Sequence, residues 1–177
     1  DSGAAKTSVA LDTNIITNIA KVYGNAKYKN RLFSYDTTYS RYYSINADTV
    51  KDLNVRKAIQ CAFDYKQILL AAGGTIAGSY ANSTIPSTFK PAYRKFNICG
   101  RDVTKNPEAQ VAKAKEYLAA AGASAKKTIR LAYRDKGVEP DRAAALQQQL
   151  EAVGFTVIMD KYPRADFYDA AAKRGVE

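Results

Sequence analysis

The chain has 177 residues, of which 46% are hydrophobic, and it carries a formal net charge of +10. It is long enough to bury a core and short enough to form one domain over residues 1–177. Because it contains no histidine, Ser-His-Asp and Cys-His catalysis and histidine-ligated metal sites are excluded. No apolar run approaches the ~18 residues that a membrane-spanning helix needs.

The first elements are predicted from local signals. Asp12 is placed to cap a helix with isoleucines on one face, and this helix should end near Gly24. Two strands are expected next, at about residues 31–35 and 39–46, where aromatic residues are frequent.

A long helix is predicted over residues 54–72. Asn54 is placed to accept a hydrogen bond from an amide of the first turn, and Gly73 and Gly74 end the helix. The apolar residues of its inner face recur at helical spacing, and they are Val55, Ala58, Ile59, Ala62 and Phe63.

A second helix is predicted to begin at Asn106, with Pro107 in its first turn, and to end at Gly122. Its buried stripe consists of Val111, Ala114 and Leu118. A third helix should run over about residues 140–153 and end at Gly154, and a last one should begin near Pro163.

Two strands alternate with these helices. Residues 128–134 place Ile129, Leu131 and Tyr133 on one face, and residues 155–161 do the same with every second residue. Strands mixed with helices of this length predict an α/β fold with helices packed on a sheet. Residues 75–105 form a long irregular stretch, and a stretch of this length is usually functional or packed on a neighbour.

The order of signals from Asn46 to Pro86 carries a resemblance. A strand ends in Asn46, a helix reads Val-Arg-x-Ala-Ile-x-x-Ala-hydrophobic-Asp over residues 55–64, and a glycine pair and an Ile-Pro turn follow. Residues 106–122 and 146–159 continue the pattern. The chain thereby resembles the second lobe of ABC-transporter solute-binding proteins of the oligopeptide and dipeptide type, family five.

This resemblance implies a periplasmic-binding-protein-like (type II) lobe, built as a mixed sheet flanked by helices. Residues 1–177 would be most of the second lobe of a larger two-lobe protein, with the resemblance faintest in residues 1–30. The sole methionine is Met159, so Asp1 is not a translated start. We therefore expect a piece of a longer chain that lacks its first lobe.

The function implied by the resemblance is solute capture. Two lobes close about a hinge on a small solute, with a peptide as the expected class, and deliver it to the membrane subunits of an ABC transporter. The protein would work outside the cytoplasm, in the periplasm or as a lipoprotein on a Gram-positive cell surface. No cofactor, metal or covalent chemistry is implied.

The resemblance also indicates where the solute binds. Tyr42 corresponds to a ligand contact on the cleft wall, and Arg41 and Tyr39 are the next choices. If this segment is a strand, Tyr42 faces opposite to Tyr39, Arg41 and Tyr43. The alternative is that these tyrosines merely cover the edge of the sheet.

Three further predictions concern structure. Arg56 and Asp64 lie two helical turns apart, so each should anchor a neighbouring loop or helix end. Cys61 and Cys99 are expected to form a disulfide, because an exported protein meets oxidising conditions and the long loop could return Cys99 to the helix. The alternative for Cys61 is a small buried hydrophobic residue.

Two other function classes are alternatives for this sequence. The 27 basic residues and 13 tyrosines suggest a nucleic-acid-binding or adaptor domain, but the charges are spread over many elements without a nucleic-acid motif. No nucleic-acid partner is therefore expected. An enzyme is not expected either, since the candidate acid and base carboxylates occupy ordinary capping and surface positions, and they are Asp135, Glu139, Asp141, Asp160, Asp166 and Asp169.

Overall fold

A computed structural model of the chain describes residues 23–31 and 37–172. A short 3-10 helix, Ala26–Arg31, comes first. The helix predicted after Asp12 and most of the strand predicted at residues 31–35 lie outside the described residues. The remaining elements are α1 (Leu53–Ala62), α2 (Tyr65–Ala71), a 3-10 turn (Gly74–Ile76), α3 (Val111–Ala120), β1 (Thr128–Arg134), α4 (Glu139–Val153), β2 (Thr156–Tyr162) and α5 (Arg164–Ala172).

The centre of the fold is a β1-α4-β2 unit. The two strands pair in parallel, from Thr128 opposite Thr156 to Arg134 opposite Tyr162. Helix α4 connects them and ends at Gly154, whose φ of 108° is the left-handed conformation that glycine adopts most readily. The strands predicted at residues 128–134 and 155–161 and the third predicted helix are confirmed.

One hydrophobic core lies between the helices and the sheet. Helices α1 and α3 pack against each other, and α4 packs on both strands. Most side chains predicted from periodicity are buried, among them Val55, Ala58, Ile59, Ala62, Ala114, Leu118, Ile129, Leu131, Phe155 and Val157, whereas Phe63, Tyr133 and Met159 are only partly buried. The buried face of α4 includes Ala143, Leu146 and Leu150. The last helix, α5, is also confirmed, with Phe167 and Tyr168 on it.

The prediction of one helix over residues 54–72 is wrong. The chain forms two helices, α1 and α2, with Phe63 and Asp64 in extended conformation between them. The backbone groups freed by the break find partners elsewhere: Phe63 O accepts from Arg101 Nη2 at 2.8 Å, and Asp64 N donates to Gln149 Oε1 at 2.9 Å. Distant side chains therefore replace helical hydrogen bonds here.

Both helix starts differ from the expected ones. Asp52, rather than Asn54, caps α1, and its side chain accepts from Asn54 N and Val55 N. Helix α3 begins at Val111 instead of near Asn106, because Pro107 O accepts from Tyr65 N and Gln110 N donates to Cys61 O. These bonds hold residues 106–110 against the first two helices. Val111 is consequently exposed, whereas Ala114 and Leu118 are buried as predicted.

No strand is present at residues 39–46, so that prediction is also wrong. The sheet of the described residues consists of β1 and β2, and this segment has no strand to pair with. It runs irregularly to Asn46, whose carbonyl oxygen accepts from Thr49 N and Val50 N in a turn.

The long irregular stretch is tied to the helices. In the structure a disulfide joins Cys61 on α1 to Cys99, with their Cα atoms 5.2 Å apart. Arg101 is buried beside it, and its Nε donates to Asn106 O at 3.0 Å. Asn82 is buried and donates to the carboxylate of Asp102, while its Oδ1 accepts from Val103 N. Asn82, Cys99, Arg101 and Val103 of this stretch are therefore buried, whereas most of residues 83–97 are exposed.

The anchoring roles expected of Arg56 and Asp64 are confirmed. Arg56 Nη1 donates to Val50 O and Lys51 O, each at 2.7 Å, and so holds the loop that precedes α1. The Asp64 side chain accepts from Gln67 N and caps α2.

Replacing Arg56 with alanine should destabilise the protein by about 1–3 kcal/mol, because the carbonyl group of the buried Val50 loses its donor. Urea unfolding measures this change. Gln60→Ala, an exposed position on the same helix, is the matched control and should change the free energy of unfolding by less than about 0.5 kcal/mol. Equal stability of the two variants would contradict the anchoring role.

The disulfide predicts that native, unreduced protein takes up no alkylating reagent at Cys61 or Cys99. Intact mass before and after alkylation checks this, and two added groups would rule the bridge out. The bridge spans a sequence separation of 38 residues. Its removal in a Cys61→Ser/Cys99→Ser variant should cost about 3–4 kcal/mol, mainly because the unfolded chain gains freedom.

The long irregular stretch of residues 75–105 also contains an acid-sensitive contact, which is at Asp102. Hydrogen bonds from Lys95, Thr104 and Asn82 hold the pKa of the Asp102 carboxyl well below its usual range. A lowered folded-state pKa stabilises the protein above the unfolded pKa of about 3.9, and the contribution is lost as the pH falls toward the folded value.

Asp102→Asn should therefore lower the melting temperature at pH 6, and its difference from the parent should shrink between pH 4 and pH 2. Melting curves over this range measure the effect. Asp135→Asn, which removes an exposed pair with Lys161, is the control and should show little change at any pH. A constant difference for Asp102→Asn across the acid range would contradict this role of the carboxylate.

Candidate functional site

The carboxyl ends of β1 and β2 meet at one edge of the sheet, which is where open α/β folds usually bind ligands. Arg134 ends β1, Tyr162 ends β2, and Glu139 begins α4 at the same edge. The chain returns here through α5, whose Phe167 ring packs edge-on against Tyr162 at 6.4 Å.

Three arginines surround Glu139, and we call Arg41, Arg134, Arg142 and Glu139 the arginine cluster. All three approach the same carboxylate oxygen: Arg41 Nη1 at 2.9 Å, Arg134 Nη2 at 3.1 Å and Arg142 Nη1 at 3.7 Å. Arg41 comes from residues 37–46, Arg134 from β1 and Arg142 from α4. Three separate segments thus bring positive charge to one point.

Arg142 is the most buried of these arginines, with 9% of its surface exposed. Its Nε is buried without a hydrogen-bond partner, and its closest approach to Glu139 is longer than a hydrogen bond. Burial lowers the pKa of Arg142, and the neighbouring Arg41 lowers it further, whereas Glu139 opposes these effects. The side chain nevertheless remains a cation at physiological pH.

Aromatic side chains border the cluster. The Tyr43 ring packs edge-on against Phe63 at 5.3 Å, and partial burial raises the pKa of Tyr43 to about 12. Its hydroxyl therefore stays protonated and able to donate a hydrogen bond. Arg134 donates to the Tyr168 hydroxyl at 3.2 Å and lies 5.9 Å from the centres of the Phe167 and Tyr168 rings.

The three residues predicted to bind the solute differ in their contacts. Arg41 belongs to the arginine cluster, where it pairs with Glu139. Tyr42 is 66% exposed and Tyr39 is 84% exposed. The roles of Tyr42, Arg41 and Tyr39 in binding stay predictions.

Sequence reasoning missed Arg142, Arg134 and Tyr43 as members of this site, and it considered Glu139 only as a possible catalytic carboxylate. The sequence did contain a signal for two of them: Arg134 ends β1, and Arg142 lies in the first turn of α4. In a parallel β-α-β unit the end of a strand and the start of the next helix lie at the same edge of the sheet. Nothing in the sequence indicated that Arg41, which is 98 positions from Glu139, would join them.

Other chemistry lacks support in the part of the chain that the structure describes. Asp160 makes a bidentate pair with Arg130, and Asp135 pairs with Lys161, so these carboxylates do not form an acid and base pair. Within residues 23–31 and 37–172 no cluster of acidic or sulfur-bearing side chains could hold a metal ion. No helix in these ranges has the length and apolar character to cross a bilayer.

A family model described as bacterial extracellular solute-binding proteins, family 5 middle, matches residues 6–176. The chain belongs to this family. No curated protein matches this family 5 chain.

Solved structures share the fold of this family 5 chain. Clavulanic acid biosynthesis oligopeptide binding protein 2 is similar with a TM-score of 0.58 and 21% identity, over 71% of this chain and 24% of that one. The ABC transporter substrate binding protein CtaP from Listeria monocytogenes gives 0.57 and 22%, over 72% and 25%. An ABC transporter substrate-binding protein from Sinorhizobium meliloti gives 0.55 and 19%, over 68% and 26%.

These likenesses confirm the expected fold class, an α/β periplasmic-binding-protein-like (type II) fold. The aligned part of this family 5 chain spans about a quarter of the length of these solved proteins. The arginine cluster is thus a candidate site on a chain that matches only part of the length of these solved proteins.

Proposed function

We propose that this chain is most of the second lobe of a two-lobe protein that binds a small solute, with a peptide as the expected class, for an ABC importer. Membership of the solute-binding family over residues 6–176 is the observation that carries the proposal. The proteins of similar fold are about three times as long, which agrees with a first lobe encoded elsewhere in the same protein.

The proposed mechanism is closure of the two lobes on the solute. Tyr42 and Tyr39 offer exposed rings, which bind a solute surface with little loss of side-chain freedom, and Arg41 offers a cation beside them. The first lobe would supply the opposite wall of the cleft. Solute bound to both walls stabilises the closed form, which the membrane subunits of the transporter recognise.

Several finer features belong to this proposal. Residues 1–177 form a single domain, and the protein works outside the cytoplasm, in the periplasm or as a lipoprotein on a Gram-positive surface. Binding involves no covalent chemistry. The competing hypothesis of a nucleic-acid-binding domain gains no support from the fold, and at the arginine cluster the positive charge is gathered beside a carboxylate rather than along an extended surface.

The test uses the full-length protein and a library of short peptides. We expect a subset of peptides to raise the melting temperature, and the radius of gyration from X-ray scattering to fall when such a peptide binds, because the lobes close. An unchanged radius with tight binding would contradict hinge closure. Absence of any small-molecule binding, together with salt-dependent DNA binding, would favour the competing hypothesis.

Tyr42→Ala should weaken binding of the selected peptide about tenfold or more in titration calorimetry, because an exposed aromatic contact is lost from the cleft wall. Tyr93→Ala, in the stretch of residues 75–105, is the matched control and should bind like the parent. Equal affinity of Tyr42→Ala and the parent would remove Tyr42 from the site, and the segment would then merely cover the sheet edge.

A further inference from the structure

The charges at the arginine cluster do not balance. Among the described residues, three guanidinium groups face one carboxylate, Glu139, which leaves an excess of two positive charges. The described groups that act electrostatically on Arg142 are Arg41, Glu139, Tyr43 and Arg134, and Tyr43 is neutral at physiological pH. Like charges gathered in a partly buried place repel one another, so the bare cluster is electrostatically unfavourable.

Arg142 also has unused donors. A guanidinium carries five N–H groups, and none of those on Arg142 makes a hydrogen bond to the residues that the structure describes. Leaving a buried cation without hydrogen bonds costs several kcal/mol unless a partner arrives. A ligand oxyanion would provide both the charge and the acceptors that are missing.

The surrounding backbone favours the same ligand. Arg142 lies in the first turn of α4, a 15-residue helix whose N-cap residue, Val138, makes no side-chain capping bond. The dipole at this helix start favours a nearby negative charge, although Pro140 has no amide N–H and Glu139 N already donates to Lys136 O. Asp141, the other acidic residue of this turn beside Glu139, is exposed and is not among the groups acting on Arg142.

Arg41 is exposed enough to complete such a site. Its side chain is 54% exposed, and it reaches Glu139 from an irregular segment that also carries Tyr39 and Tyr42. An exposed ion pair contributes little to stability, so Arg41 can exchange Glu139 for a ligand anion at small cost. Arg134 is held in place by Glu139 and by the Tyr168 hydroxyl.

We infer that the solute carries a dianionic oxyanion group, either a pair of carboxylates or a phosphoryl group, and that this group binds Arg142 and Arg41 at the carboxyl edge of the sheet. The inference rests on the proposed solute-binding function and adds the chemical class of the solute. Planar guanidinium groups suit this class because each binds two oxygens at once.

The test is calorimetry on the full-length protein at matched ionic strength. The probes are Ala-Ala-Ala, Ala-Lys-Ala, Ala-Glu-Ala and inorganic phosphate, with chloride as the salt control. We expect Ala-Glu-Ala or phosphate to bind at least tenfold more tightly than the neutral and basic peptides. A response to the peptide indicates the carboxylate source, and a response to phosphate alone indicates the phosphoryl source.

Variants assign the effect to the cluster. Arg142→Gln should reduce affinity for the preferred anion about tenfold or more, since a charge-assisted hydrogen bond is lost. Arg41→Gln guards against a folding defect, because its side chain is half exposed, and it should reduce anion affinity without lowering the melting temperature. Arg94→Gln, whose side chain bonds to carbonyl groups of its own loop, is the control and should bind like the parent.

Two results would overturn the inference while leaving the proposed function intact. One is binding of the neutral or basic peptide as tight as that of the acidic peptide. The other is a loss of stability in Arg142→Gln with unchanged anion affinity in both cluster variants, which would assign the cluster to a contact within the protein. Failure of every probe also overturns it, whereas the proposed function is then judged by the peptide library and the scattering measurement.

Discussion

The break between α1 and α2 is the point on which the rest of this structure depends. Phe63 O accepts from Arg101, Asp64 N donates to Gln149, and Tyr65 N donates to Pro107 O. These bonds join the first helices to the long irregular stretch and to α4, and Arg101 and Gln149 are both buried. Backbone groups that lose their helical hydrogen bonds inside a protein need other partners. The break therefore requires the first helices, the long irregular stretch and α4 to be packed together.

The break also positions the candidate site. Because the chain turns at Phe63, the ring of this residue faces Tyr43 and packs against it at 5.3 Å. Tyr43 neighbours Arg41 and Tyr42 in sequence, so this contact fixes the irregular segment next to α4, where Arg41 reaches Glu139. A segment without strand pairing is thereby held by side-chain contacts, among them the Tyr43–Phe63 ring contact, the Arg41–Glu139 ion pair and the packing of Ile45 on the core.

Charged side chains in the scaffold and at the candidate site differ in how fully they are paired. In the scaffold, Asp102 receives three side-chain donors, and Arg56 satisfies two carbonyl groups. At the carboxyl edge of the sheet, three arginines share one oxygen of Glu139, and the most buried of them has unused donors. Arg101 Nη1 in the scaffold is also buried without a described partner, but the other nitrogens of Arg101 donate to two carbonyl groups, whereas those of Arg142 donate to no described residue.

The sequence by itself determined the elements whose signals are local. The alternation in residues 128–134 and 156–162, the apolar stripe around Leu146 and Leu150, and the glycine after α4 are written in neighbouring residues, and each predicts its element because side-chain direction follows backbone period. The ordered motifs from Asn46 to Pro86 likewise indicated the family before any contact was known.

Only the tertiary structure decided the rest. Residues 54–72 have one helical pattern, yet hydrogen bonds from Arg101 and Gln149 favour a break at Phe63. Residues 39–46 have strand-like composition, yet they find no partner strand in the described sheet. The arginine cluster joins Arg41 to Glu139 across 98 positions. Partners this far apart leave no periodic trace in a sequence, because their meeting depends on how the intervening helices and strands pack.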